Sequence, residues 1–163
     1  MENRMRLRTI QIRGFKSIVD QPIALGRVNC FIGANGVGKS NILEAVGVLG
    51  AAAAGRVDDE SIIRRGVRAG LPRLFKTSFA GTRIPPHISV EARGEPDATF
   101  RVSLLNPLDK PEPAWSFKTE YLSSDTTEIV SRGVRVRKNL DETAGLSALK
   151  LVDLQTDNPA SIL

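Results

Sequence analysis

The chain has 163 residues, 41% of them hydrophobic and 25% charged, with a formal net charge of +5. That composition fits an ordinary globular domain with its own core and excludes disordered and collagen-like chains, and no apolar run approaches the ~20 residues of a membrane helix. One cysteine, Cys30, excludes an internal disulfide, and one histidine, His87, excludes a conventional zinc site.

The length predicts a single domain over 1–163. No apolar leader core follows the N-terminus, so the cytosol is the expected compartment. Residues 1–70 hold eleven Lys/Arg and six Asp/Glu, whereas residues 71–163 hold twelve of each. The whole basic excess therefore lies in the first part. Charge placed there suits a polyanion such as a nucleotide or a nucleic-acid backbone, although solubility alone also accounts for it.

Met5 to Arg13 reads as a strand whose apolar phase slips between Leu7 and Ile10, as a bulge would cause, and Gly14 is expected to end it. Arg27 to Ile32, with Val28, Cys30, Phe31 and Ile32, is a nearly continuous apolar run closed by Gly33. It predicts a central strand buried on both faces, with Cys30 an inert core residue. From Lys39 to about Ala54 the period changes to that of a helix, with Ile42, Val46, Leu49 and Ala53 on one stripe and Gly55 as its stop. Gly47 and Gly50 each cost this helix about 1 kcal/mol relative to Ala, which requires very close packing there or a shorter helix. Asp58 to Arg65 fits a short helix.

Downstream, Ile88, Val90 and Ala92 alternate with Ser89, Glu91 and Arg93, and Phe100, Val102 and Leu104 alternate with Arg101 and Ser103. With the turn cluster Gly94–Asp97 between them, they predict an antiparallel hairpin with one wet face. Asn106 to Pro113 must be loop. Ile129 to Lys138 reads as strand, and Asp141 to Val152 as a weak helix. Arg132, Arg135, Arg137 and Lys138 form a candidate basic face for DNA, with a solvated sheet face as the plainer reading. Trp115 is expected in the core, and His87 is assigned no role.

The chemistry lies in Gly33-Ala34-Asn35-Gly36-Val37-Gly38-Lys39-Ser40, which matches the phosphate-binding loop pattern G-x-x-x-x-G-K-[ST]. Gly36 and Gly38 let the backbone curl where a Cβ would obstruct it. Successive amide hydrogens then point at the anion, and the helix starting at Lys39 adds its positive end. Lys39 would reach the β- and γ-phosphates, and the Ser40 hydroxyl would coordinate Mg²⁺.

The stretch Ile12-Arg13-Gly14-Phe15-Lys16-Ser17-Ile18, followed by Leu25 to Ala45 with this loop inside it, resembles the N-terminus of ABC-type ATPases of the SMC, RecF and OLD kind, often labelled AAA family ATPases. The resemblance covers about residues 5–50. It implies an α/β fold with α+β tendency: a P-loop unit over 1–55, an antiparallel β-region over about 74–140, and a C-terminal segment over 141–163. It implies ATP and Mg²⁺ as cofactors, bound around Gly33 to Asn41, with Lys16 approaching the nucleotide. Two such heads dimerise around ATP in that family, whose members act in DNA repair, chromosome organisation and phage defence.

The Walker B run and the Leu-Ser-Gly-Gly signature of that family are not found. Ala148 to Asp153 is interrupted by Lys150, and Gly145-Leu146-Ser147-Ala148 does not fit. Gln155 is the one downstream candidate for the glutamine that approaches Mg²⁺. The expected function is thus ATP binding by a first lobe that needs a second half for hydrolysis, and no catalytic residue is assigned. The alternative is a non-enzymatic DNA-binding or head-dimerisation module. A small phosphotransferase is a third reading, opposed by the antiparallel patterns after residue 85.

Overall fold

The computed structural model describes residues 6–95, 97–125, 127–133 and 141–146. The elements are β1 (Arg6–Phe15), β2 (Ile18–Ala24), α1 (Lys39–Ala53), α2 (Asp59–Ile63), a 3₁₀ turn (Pro72–Phe75), β3 (His87–Glu95), β4 (Ala98–Leu105), β5 (Ser116–Ser124) and β6 (Thr127–Arg132). All six strands form one antiparallel sheet in the order β2-β1-β3-β4-β5-β6. β1 pairs with β3, so the first strand lies inside the same sheet as the second half.

The β1–β3 register shifts between Leu7 and Thr9, where the apolar phase of the sequence slips. β1 continues through Gly14 to Phe15, and the chain turns at Lys16–Ser17 into β2, a strand absent from the sequence reading. Pro22 and Asp20 lie on β2, which is an edge of the sheet, and both residue types discourage further pairing. The β3–β4 hairpin pairs Val90 with Val102 and Ala92 with Phe100, as the alternation predicts. β5 is a second strand that the sequence does not announce, because Lys118, Thr119 and Glu120 break its apolar pattern.

One face of the sheet is dry. Ile10, Ile12, Val90, Phe100, Val102 and Leu122 are buried there in a core shared with α1. The opposite face carries ion pairs, Arg8 with Glu95, Arg13 with Asp20, and Arg93 and Arg101 with Glu91. The exposed pairs of Arg8 and Arg13 contribute under about 1 kcal/mol each, whereas the Glu91 carboxylate is itself buried. The buried stripe of α1 is Ala45, Val48, Leu49 and Ala52, whereas Val46 is exposed, so the stripe is rotated from the one read in sequence. α1 ends as predicted: Gly55 N–H donates to Ala52 and Arg56 N–H to Ala51, a paired 5→2 and 6→1 closure. Asp58 caps α2 by accepting from the Ser61 amide, and Ser61 Oγ accepts from the Asp58 amide in return.

Two further expectations are overturned. Arg27 to Ile32 forms no strand, Val28 and Ile32 are each 90% exposed, and Cys30 is exposed rather than buried. A strand buried on both faces needs neighbours to pair with it and layers to cover it. The described sheet is antiparallel and reaches its edge at β2, so this run crosses from β2 to α1 with no strand beside it. Arg132 does not face solvent as part of a basic stripe. It is buried beside Glu120 at 4.0 Å and donates to the Ala144 carbonyl at 2.7 Å. Its inward place follows from β6 pairing, which sets Arg132 opposite Glu120 on the core side of β5. Arg135, Arg137, Lys138 and Gln155 lie outside the described residues; of the helix expected over Asp141 to Val152, residues 141–145 form turns and no helix, and the part beyond Leu146 lies outside them. Trp115 is buried edge-on to Phe75, in the core as expected.

Gly47 explains the tolerated glycine in α1. A Cβ there would lie 2.7 Å from Val67 Cγ2 and 2.9 Å from the Arg65 carbonyl oxygen. Gly47→Ala recovers about 1 kcal/mol of helix propensity, but forcing the neighbouring backbone aside costs about 1–3 kcal/mol. The expected net result is lower stability in urea denaturation. A midpoint equal to or above that of the unaltered chain would refute this close packing.

Candidate phosphate-binding loop

The loop runs from the exposed 27–32 segment into α1. Gly36 and Gly38 have φ of +86° and +98°, and Gly38 is the residue from which α1 starts. Around Gly36 the space is open, so backbone conformation rather than room requires glycine there. At Gly38 both apply, because a Cβ would lie 2.7 Å from Ser17 Oγ. The Gly38 carbonyl accepts from the amides of Asn41 and Ile42 at 3.0 and 3.3 Å. No side chain caps the start of α1, and its first turn contains no acidic residue. The first amides of a helix lack intrahelical partners and carry partial positive charge, so an uncapped start favours an anion.

Lys39 Nζ donates to the carbonyls of Gly33 and Ala34, both at 2.7 Å. The ammonium thereby ties the start of the loop to its end. Residues Gly33, Ala34, Asn35, Gly36 and Val37 are exposed, Gly38 and Lys39 are half-buried, and Ser40 is exposed at the helix start. Beside them lies a groove of about 650 Å³, lined by Cys30, Phe31, Lys39, Ser40, Leu43 and Val46 among others. Ser40, exposed at the helix start, carries a hard oxygen of the kind that Mg²⁺ accepts. Among the described residues no group of three His, Cys, Asp or Glu side chains is placed to hold a metal.

The turn between β1 and β2 packs against this loop. Asn41 Nδ2 donates to Ser17 Oγ at 2.8 Å. Lys16, in a left-handed conformation at φ 49°, pairs with Glu44 of α1 and sits over the rings of Phe15 and Phe75 at 5.6 and 5.0 Å. Glu44 also accepts from Arg68 Nε at 2.7 Å, and Arg68 Nη2 reaches Asn41 Oδ1 at 3.4 Å. Lys16 thus lies beside the loop but is held by a carboxylate. Glu44 and Arg68 were missed in sequence. Glu44 falls off the apolar stripe read there, and Arg68 follows a helix that gives no sign of where the chain turns next.

Burial raises the Glu44 carboxyl pKa, but the hydrogen bonds and charges of Lys16 and Arg68 outweigh it and hold it below its ordinary value of 4.5. A carboxyl depressed in the folded state contributes stability above its unfolded pKa and loses it as pH falls through the folded one. The thermal midpoint of the unaltered chain should therefore exceed that of Glu44→Gln at pH 7. The gap should narrow as the pH drops below 4.5. A gap that stays constant down to unfolding would show that the ion cluster contributes nothing.

Residues 5–62 match the family described as an AAA ATPase domain. No curated protein and no solved structure matches the chain. Among the described residues no helix is long and apolar enough to cross a membrane. The loop and α1 both lie inside the matched stretch, which covers 58 of the 163 residues.

Proposed function

We propose that the chain is a nucleotide-binding lobe that takes ATP with Mg²⁺ at Gly33–Ser40. The observation that carries this reading is the start of α1: two left-handed glycines, no side-chain cap and no acid in the first turn, with the Lys39 ammonium laid across the loop. In this reading the amides from Gly36 to Ser40 hold phosphate oxygens, since the Asn41 amide is taken by the Gly38 carbonyl. Lys39 exchanges two neutral carbonyls for a charged phosphate, a stronger class of hydrogen bond. The Ser40 hydroxyl holds Mg²⁺, which neutralises charge on the β- and γ-phosphates.

The finer assignment, to ATPases of the SMC, RecF and OLD kind with roles in DNA repair, chromosome maintenance or phage defence, rests on the resemblance at Ile12 to Ile18 and Leu25 to Ala45. Hydrolysis in this reading requires a second part that supplies a positioned water and an opposing charge. Val28 and Ile32, both 90% exposed, support such a partner, because large apolar side chains so open to water favour being covered.

Calorimetric titration with ADP or a non-hydrolysable ATP analogue tests the proposal. Lys39→Ala should weaken binding by roughly tenfold or more, the scale of a lost charge-assisted contact in a phosphate site. Equal affinity in the two proteins would overturn it. Steady-state turnover by this chain alone should be negligible, and robust Mg²⁺-dependent hydrolysis in a clean preparation would overturn the claim that a second part is needed.

A further inference from the structure

Lys16 has a cation's full choice of partners and is held by a single carboxylate. Its ammonium pairs with Glu44 and otherwise faces two phenylalanine rings, with most of its surface covered. The next residue, Ser17, occupies the space beside Gly38 and accepts from Asn41, so the Lys16 stem is rooted next to the loop that curls around the proposed phosphates. Glu44 is differently placed. One oxygen, Oε1, is gripped by Arg68 through Nε at 2.7 Å and Nη2 at 2.6 Å. The other, Oε2, takes Lys16 and also lies 3.4 Å from the Arg68 amide. If Lys16 departed, Glu44 would keep a guanidinium on one oxygen and a backbone donor near the other. A buried carboxylate left with no partner would be strongly destabilised, and this one would not be. Arg68, 69% exposed on its side chain, already holds Glu44 and needs no movement to keep it.

We propose that Glu44 is a positioning residue that holds the Lys16 ammonium in reserve and surrenders it to a phosphate of a nucleotide bound in the loop, while Arg68 stays behind as the counter-charge of Glu44. The inference rests on the nucleotide reading above and on the approach of Lys16 to the nucleotide that the resemblance implies, and it adds roles for Glu44 and Arg68, which do not belong to the loop motif. The exchange replaces one ion pair by another and moves no proton, so its cost is small beside that of baring a buried charge. Glu44 competes with the phosphate for Lys16, and Arg68 weakens that competition by sharing the carboxylate. The depressed protonation range of Glu44 is consistent with this sharing, since both cations hold the carboxyl ionised.

The test is calorimetric binding of ADP to the unaltered chain, Glu44→Gln, Arg68→Ala, Lys16→Met and the doubles Lys16→Met/Glu44→Gln and Lys16→Met/Arg68→Ala, with a thermal midpoint for each. Glu44→Gln should bind roughly three- to tenfold more tightly although it is less stable, a combination that loss of a merely structural bridge does not produce. Arg68→Ala, at an exposed side chain that should not endanger folding, should bind more weakly because Glu44 then holds Lys16 alone. Both effects should vanish in the Lys16→Met background. Lys39-dependent ADP binding that is unchanged or weakened in Glu44→Gln overturns the inference and leaves the nucleotide reading standing. An Arg68→Ala effect that persists without Lys16 also overturns it, since Arg68 would then act on the ligand directly. Absence of Lys39-dependent binding in the unaltered chain removes both readings.

Discussion

A carboxylate inside a protein has to be matched by charge or hydrogen bonds, and the side chain of Glu44 is only 5% exposed. Its two partners come from the turn after β1 and from the segment after α2, while Glu44 itself stands on α1. One buried charge therefore ties together three pieces of chain, beside the contacts of Asn41 with Ser17 and Arg68. The same meeting places Ser17 against Gly38 and Asn41. Ion pairs of this kind are weak evidence for net stability, because desolvation offsets much of their attraction. Their value here is geometric: the alternatives leave an uncompensated charge in the core, so the arrangement around the loop is specific.

The sheet imposes the second constraint. Six antiparallel strands with one dry face need a single covering layer on that face, and α1 supplies it. Small residues let it lie close: Ala45, Ala51, Ala52 and Ala53 are buried, and Gly47 accepts the chain after α2 almost in backbone contact. At the other side, Glu120 and Arg132 bring a second buried pair into contact with the segment Asp141–Leu146, whose Leu146 amide donates to Glu120 at 2.7 Å and whose Gly145 amide donates to Gly55. The end of α1 and the far strands are thereby joined, and the loop at the start of α1 stands on a framework braced at both ends of the helix.

The run from Arg27 to Ile32 marks where this framework stops. Its side chains have the composition of a central strand, yet its backbone pairs with no strand among those described. Local composition states a preference for burial. It does not create the neighbour that burial requires. This segment, the groove beside it and the open start of α1 form one contiguous region in which apolar surface and anion-seeking amides are exposed together.

The sequence by itself determined what depends on near neighbours: the curl allowed by Gly36 and Gly38, the helix that follows Lys39 and its closure at Gly55, the alternation of β3 and β4, and the bulge in β1. Each is set by interactions within a few residues, or by a short turn joining two alternating strands. Only the tertiary structure decided which residues cross the molecule to meet. It turned Glu44 and Arg132 inward, brought Arg68 back to α1, paired β1 with β3, made strands of Ile18–Ala24 and Ser116–Ser124, and left Val28 and Ile32 in water. Burial of a charge or exposure of an apolar run depends on partners dozens of residues away, and no local period encodes where those partners will be.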